Sequence, residues 1–167
     1  EEKLRLLVEE ARLKAKNAKR DAADSDWRNS GVSLKDIAAT EFTGYSENGT
    51  EATVVAIIAD GERAEVIEDG ADAVIVLDKT SFYAESGGQI GDRGYIKTAK
   101  GIFRVDDTQK TPEGQYLHIG EVIEGTVEKG SALASIDVER RDAIRRNHSA
   151  LHLLQAALRS VLGSHVE

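Results

Sequence analysis

Two of the chain's four histidines, His148 and His152, stand four residues apart in the run DVERRDAIRRNHSALHLLQAALRSVLG at 137–163. On a helix, side chains at this spacing have Cβ atoms roughly 5–6 Å apart, so both imidazoles can reach one metal ion at about 2.0–2.1 Å. No glutamate follows His148, so the pattern lacks the general base that zinc proteases carry between their histidines. Two imidazoles do not complete a tetrahedral zinc centre either. The chain has no cysteine, so further ligands are His118 or His165 brought in by folding, or residues outside this sequence. The plainer alternative is a pair of ordinary, partly exposed histidines.

A second stretch with chemical potential is SFYAESGGQIGDRG at 81–94. Its glycines, Gly87, Gly88, Gly91 and Gly94, let the backbone approach a ligand or another backbone closely. It lacks the lysine-serine or lysine-threonine end of a phosphate-cradling loop and does not match the dinucleotide fingerprint. A folded structural loop and a substrate-facing loop both fit, and Glu85, Gln89, Asp92 and Arg93 are its polar candidates.

The elements that must hold these residues follow from periodicity. Over 137–163, His148, His152, Gln155 and Arg159 share one stripe at 100° per residue, beside an apolar face of Leu151, Leu154, Leu158, Val161 and Leu162. This predicts a helix that packs with one face and presents polar groups on the other. Residues 1–23 also read as a helix, with Leu4, Leu7, Val8, Ala11, Ala15 and Ala18 at helical spacing. Acidic Glu1, Glu2, Glu9 and Glu10 come early and Lys14, Lys16, Lys19 and Arg20 late, which suits the helix dipole; this favours a solvated connecting helix over an RNA-binding patch. Between the two, short β-rich runs at 42–45, 52–59, 63–67, 72–77, 94–97, 102–107, 116–120 and 132–136 are separated by turn signals such as Asp60-Gly61 and Asp69-Gly70. The expected fold is mainly β with flanking helices: a connecting helix and linker at 1–30, a small β-barrel at 31–136 that includes the 81–94 loop, and a helical segment at 137–167.

With 167 residues, 40% of them hydrophobic, the chain is long enough for one well-packed domain or two small ones. Its longest apolar runs are too short to span a bilayer, and no membrane partner is expected. A formal charge of −8 argues against a protein devoted to coating nucleic acid, although a local basic patch is compatible with it. Absence of cysteine excludes disulfides and thiol catalysis and is compatible with a cytoplasmic location. The sequence holds no methionine, even at position 1, and is expected to be a fragment of a longer protein.

The loop SFYAESGGQIGDRG, followed by RRNHSALHLLQAALRSVLGSHV, resembles the alanyl-tRNA synthetases in their barrel and the start of their editing domain, a region shared with free-standing alanyl-tRNA editing proteins. The likeness runs from about residue 36 to the end, and the N-terminal helix favours the synthetase over the free-standing editor. The resemblance implies a barrel like those of translation elongation factors and an α+β editing domain that opens with the last helix. It implies that His148 and His152 are the first two zinc ligands, completed downstream by a cysteine and a histidine absent here. It places Gly87, Gly88 and Gln89 in the family's glycine-glycine-glutamine loop near the editing pocket. Where the family usually has a threonine that helps distinguish serine from alanine, this chain has Leu151. The implied partners are tRNA(Ala) and the remaining synthetase domains. ATP and magnesium belong to an aminoacylation domain that this chain lacks. The expected role is part of an alanine-tRNA ligase, with the fragment itself inactive in hydrolysing Ser-tRNA(Ala) or Gly-tRNA(Ala). The alternatives are an RNA- or domain-docking barrel without catalysis, a free-standing alanyl-tRNA editing hydrolase, and a self-contained metallohydrolase with His118 or His165 as third ligand.

Overall fold

The structure is a computed structural model that describes residues 32–86 and 88–163. The helix and linker expected over 1–30, together with Gly87 and His165, lie outside the described residues. In chain order the elements are β1 (Glu41–Phe42), β2 (Gly49–Ala59), β3 (Glu62–Ala64), β4 (Val66–Glu68), β5 (Asp72–Leu77), β6 (Lys79–Thr80), β7 (Gly94–Thr98), β8 (Gly101–Lys110), β9 (Tyr116–Glu128), β10 (Gly130–Ile136) and the helix α1 (Val138–Leu162).

Six of the strands close into an antiparallel barrel in the order β2, β5, β9, β8, β7, β10 and back to β2. Closure removes the unpaired edges that an open sheet would expose. The expected mainly β fold with a barrel and a C-terminal helix is therefore the observed one. Several strand boundaries differ from expectation: the run at 42–45 is strand only over Glu41–Phe42, and the strands expected at 52–59 and 102–107 extend to Gly49–Ala59 and Gly101–Lys110. The run at 63–67 is split, because β3 pairs with β2 whereas β4 pairs with the far end of β9. The strand expected to end at Gly120 continues to Glu128. Gly120 is no turn: a Cβ there would lie 1.8 Å from the Arg104 carbonyl oxygen, so glycine is what permits β8 and β9 to pair through this point.

Alternation along the strands builds two apolar layers. Ala52 and Val54 of β2, Ile75 and Leu77 of β5, Ile96, Phe103, Val105, Val122, Ala132 and Ala134 belong to one buried cluster, together with Phe82. On β2 a bulge between Val54 and Ala56 shifts the alternation, so Ile57 joins this cluster while Ala56 and Ile58 join a second one. The second cluster adds Val74, Val76 and Leu117 and is covered by Val32, Leu34 and Ile37. That covering segment is clipped to β3 by Arg63, whose guanidinium pairs with both Asp36 carboxylate oxygens and reaches the Ser33 carbonyl at 2.5 Å. Hydrogen bonding from Arg63 holds the Asp36 carboxyl down at about 2.

Helix α1 starts where expected. Asp137 caps it, its Oδ1 accepting from the Arg140 backbone N–H at 3.0 Å, and Gly163 ends it. No helix among the described residues is long and apolar enough to cross a membrane.

Candidate functional site

The 81–94 loop and the first turn of α1 are joined by one buried arginine. Arg141 is 4% exposed and its guanidinium meets the Asp92 carboxylate, itself buried, through Nε at 3.0 Å and again through Nη2. The same guanidinium donates to the Gly44 carbonyl at 2.9 Å and the Ser81 carbonyl at 2.5 Å. Asp92 also accepts from the Tyr83 backbone N–H at 2.7 Å. Paired charges that fill one another's hydrogen-bonding capacity are the arrangement under which a buried ion pair is tolerated. Beside it, Arg140 donates to the Gly91 carbonyl at 2.8 Å, and the Asp137 N–H donates to the Arg93 carbonyl at 2.7 Å.

These contacts divide the loop. Its legs are structural: Ser81, Phe82 and Ala84 on one side and Gly91 and Asp92 on the other are buried. A Cβ on Gly91 would stand 2.4 Å from the Thr108 carbonyl oxygen, so close backbone packing explains this glycine without a ligand. The tip is open, with Glu85, Ser86, Gly88 and Ile90 exposed and Gln89 half-buried. Ser86 and Gln89 exchange backbone hydrogen bonds at 3.2 and 3.0 Å, closing a tight turn. Of the four polar candidates, Asp92 is thus a structural counter-ion, Arg93 contributes a backbone carbonyl to the helix start, and Glu85 and Gln89 stay at the tip.

His148 and His152 are exposed on α1, their rings 4.6 Å apart between centroids and their Nε2 atoms 2.9 Å apart. Two bonds of about 2.05 Å meeting at a tetrahedral angle would separate the nitrogens by roughly 3.3 Å, so a small side-chain adjustment brings both onto one zinc ion. The pair fits half of a tetrahedral donor set. Among the described residues no third histidine, cysteine, aspartate or glutamate clusters with them. Leu151 is 69% exposed beside them, and no hydrogen bond joins Gln89 to either histidine.

Arg141 sets where the histidines point. Steps of 7 and 11 residues from Arg141 to His148 and His152 rotate the direction by about −20° and +20°, with rises of about 10.5 and 16.5 Å. The two imidazoles therefore straddle the line of the side chain that is locked to the loop. The apolar face expected to pack is uncovered among the described residues: Leu153 is 72%, Leu154 54% and Val161 80% exposed. The reason is geometric, because α1 is held at its first turn and every described side chain from 145 to 161 is exposed.

His118, one of the two further ligands considered, is removed from that role. It is fully buried in the barrel, Nδ1 lying 3.0 Å from the Ile75 carbonyl oxygen, Nε2 2.8 Å from the Thr80 hydroxyl, and its ring edge-on to Phe82. Burial pushes its pKa down to about 4, so the ring is neutral at neutral pH. Both nitrogens are occupied, and no metal ligand remains. Sequence reasoning had no signal for this, since an isolated histidine on an alternating strand reads the same whether it faces core or solvent. It also missed Arg141, which in sequence looks like its neighbours Arg140, Arg145 and Arg146.

Residues 1–140 match the family described as tRNA synthetases class II (A). The alanine-tRNA ligase of Bacillus subtilis (strain 168) is 40% identical over 161 residues, which is 95% of this chain and 18% of that protein. That of Nitrobacter winogradskyi is 47% identical over 148 residues, covering 87% of this chain and 16% of that protein. That of Acetivibrio thermocellus is 49% identical over 128 residues, covering 76% and 14%. The chain spans less than a fifth of the length of these relatives. With most of its length matched, the chain belongs to the class II (A) family of tRNA synthetases.

Proposed function

We propose that this chain is the barrel and the opening helix of the editing domain of an alanine-tRNA ligase, acting in the cytoplasm with tRNA(Ala) and the ligase's other domains. The observation that carries the reading is the pairing of converging His148 and His152 imidazoles with a helix locked by Arg141 to the glycine-rich loop. A synthetase pocket built for alanine rejects glycine weakly, because a missing methyl is worth only about 1–3 kcal/mol, and it also rejects an added hydroxyl poorly; synthetases are the standard instance of this limit. A second, hydrolytic site corrects Ser-tRNA(Ala) and Gly-tRNA(Ala). There water adds to the aminoacyl ester carbonyl, the bond to the terminal ribose oxygen breaks, and that oxygen takes a proton.

His148 and His152 would hold zinc through Nε2, with the remaining ligands supplied from outside the described residues. Bound there, zinc supplies a Lewis acid that orients the charged tRNA end, polarises the ester or activates water. In this reading Gly88 and Gln89, at the loop tip, would face the pocket. Leu151 offers methyl groups where a hydroxyl would hydrogen-bond the serine side chain, so discrimination here rests on other groups. Aminoacylation, with its ATP and magnesium, belongs to another part of the ligase.

Zinc titration of the chain by calorimetry, beside a His148→Ala, His152→Ala variant, tests the reading. Weak binding that disappears in the variant is expected, together with no hydrolysis of Ser-tRNA(Ala) by the chain alone. Tight stoichiometric zinc with hydrolysis at the rate of an intact editing domain would mean a self-sufficient enzyme and overturn the fragment reading.

A further inference from the structure

On the barrel, apart from the histidines, lies an open cleft of about 840 Å³ walled by Tyr45, Tyr83, Tyr116, Glu85, Lys110 and Pro112. Its aromatic wall is one connected cluster. Phe42 stacks on Tyr116 with ring centroids 5.7 Å apart and planes at 5°, and meets Tyr45 and Tyr83 edge-on at 5.0 and 6.3 Å. The Lys110 ammonium sits 5.1 Å from the centre of the Tyr116 ring. Tyr45 is 86% exposed, a large aromatic surface left in water where a fold has no need of it.

We infer that this cleft stacks an unpaired nucleotide of an RNA strand on its exposed Tyr45 ring, with the buried Tyr116 as the cleft floor and Lys110 beside the phosphate. Aromatic faces accept any base, because every base has a π-face, and one cation at the rim suits the strand's backbone. The volume matches that of small-molecule and nucleotide sites, and the open mouth admits a strand that enters and leaves. With a single cation in the wall, stacking carries the binding and the salt dependence is shallow. The inference rests on the proposal that this chain serves a tRNA ligase, which is where an RNA partner comes from.

The four tyrosines supply their own control, because Tyr95 lies on β7 outside the cleft. The experiment is a titration of the tyrosine-labelled chain with single-stranded hexaadenylate, followed by NMR, with binding to whole tRNA measured separately. The ring signals of Tyr45, Tyr83 and Tyr116 should move while those of Tyr95 stay. Tyr45→Ala, at a position exposed enough to spare the fold, should weaken binding about 5- to 150-fold, the loss of one base–aromatic stack. Lys110→Gln should remove a salt slope of about −0.7, that of one phosphate contact on a single strand. Hexaadenylate binding that leaves the three cleft rings unmoved, or that is insensitive to Tyr45→Ala, overturns the cleft while leaving the tRNA reading standing. Failure of both hexaadenylate and tRNA to bind overturns both. A proline-rich peptide that moves the three rings when hexaadenylate does not would assign the cleft to a protein partner and overturn the nucleotide.

Discussion

Replacing Arg141 with methionine isolates the joint on which the candidate site depends. Methionine keeps much of the stem's volume and removes the charge, leaving the Asp92 carboxylate buried without its partner. Breaking a buried ion pair from one side costs about 3–5 kcal/mol, and the Gly44 and Ser81 carbonyls lose donors as well. A total of about 4–5 kcal/mol corresponds to a fall in Tm of roughly 8–20 °C for a domain of this size. Thermal and urea unfolding followed by circular dichroism would measure it. An Arg141→Met, Asp92→Leu double variant should recover part of the loss, because the stranded charge goes, but not all of it, because the two carbonyls remain unserved. A single-variant loss below about 1 kcal/mol would refute the reasoning and mean that water reaches Asp92.

Two further outcomes follow from buried polar groups. The His118 pKa is about 4 in the folded chain against an ordinary 6.5, so the unfolded chain binds the extra proton first. This contribution is therefore intact above about pH 6.5 and is lost as pH falls toward 4, reaching about 2.5 kcal/mol of destabilisation by about pH 4.5; urea unfolding at both ends of that range should show it, and a His118→Gln variant should lack that slope. The Ser81 hydroxyl is buried with no hydrogen-bond partner among the described residues. Ser81→Ala should therefore raise stability by about 1 kcal/mol in the same assay, and a loss of similar size would show that the hydroxyl is satisfied by water.

Much of the fold was legible because local chemistry and tertiary need agree. The short apolar runs at 72–77 and 132–136, the aspartate-glycine turns, and Asp137 with Gly163 bracketing the last helix each mark an element from its own residues. What failed to show was decided at a distance. The split at Glu65 comes from a change of strand partner, and the continuation through Gly120 comes from the approach of β8. The histidine pair was visible as a spacing, since a helix alone fixes it. The role of Asp92 was not, because its partner stands 49 residues away in an arginine-rich run. The aromatic cleft gathers Phe42, Tyr45, Tyr83 and Tyr116 from separate loops and strands, and no periodicity connects them.

Locking a helix by one side chain near its start makes the distance from that side chain a matter of phase. Between Arg141 and His148 the residues at 142–147 are free to vary in kind, since none of them is buried. They are not free to vary in number. One residue inserted there would turn the imidazoles by about 100° and bring leucines to the face they occupied, with every barrel contact unchanged. The count of residues, more than their chemistry, is what this stretch of helix contributes.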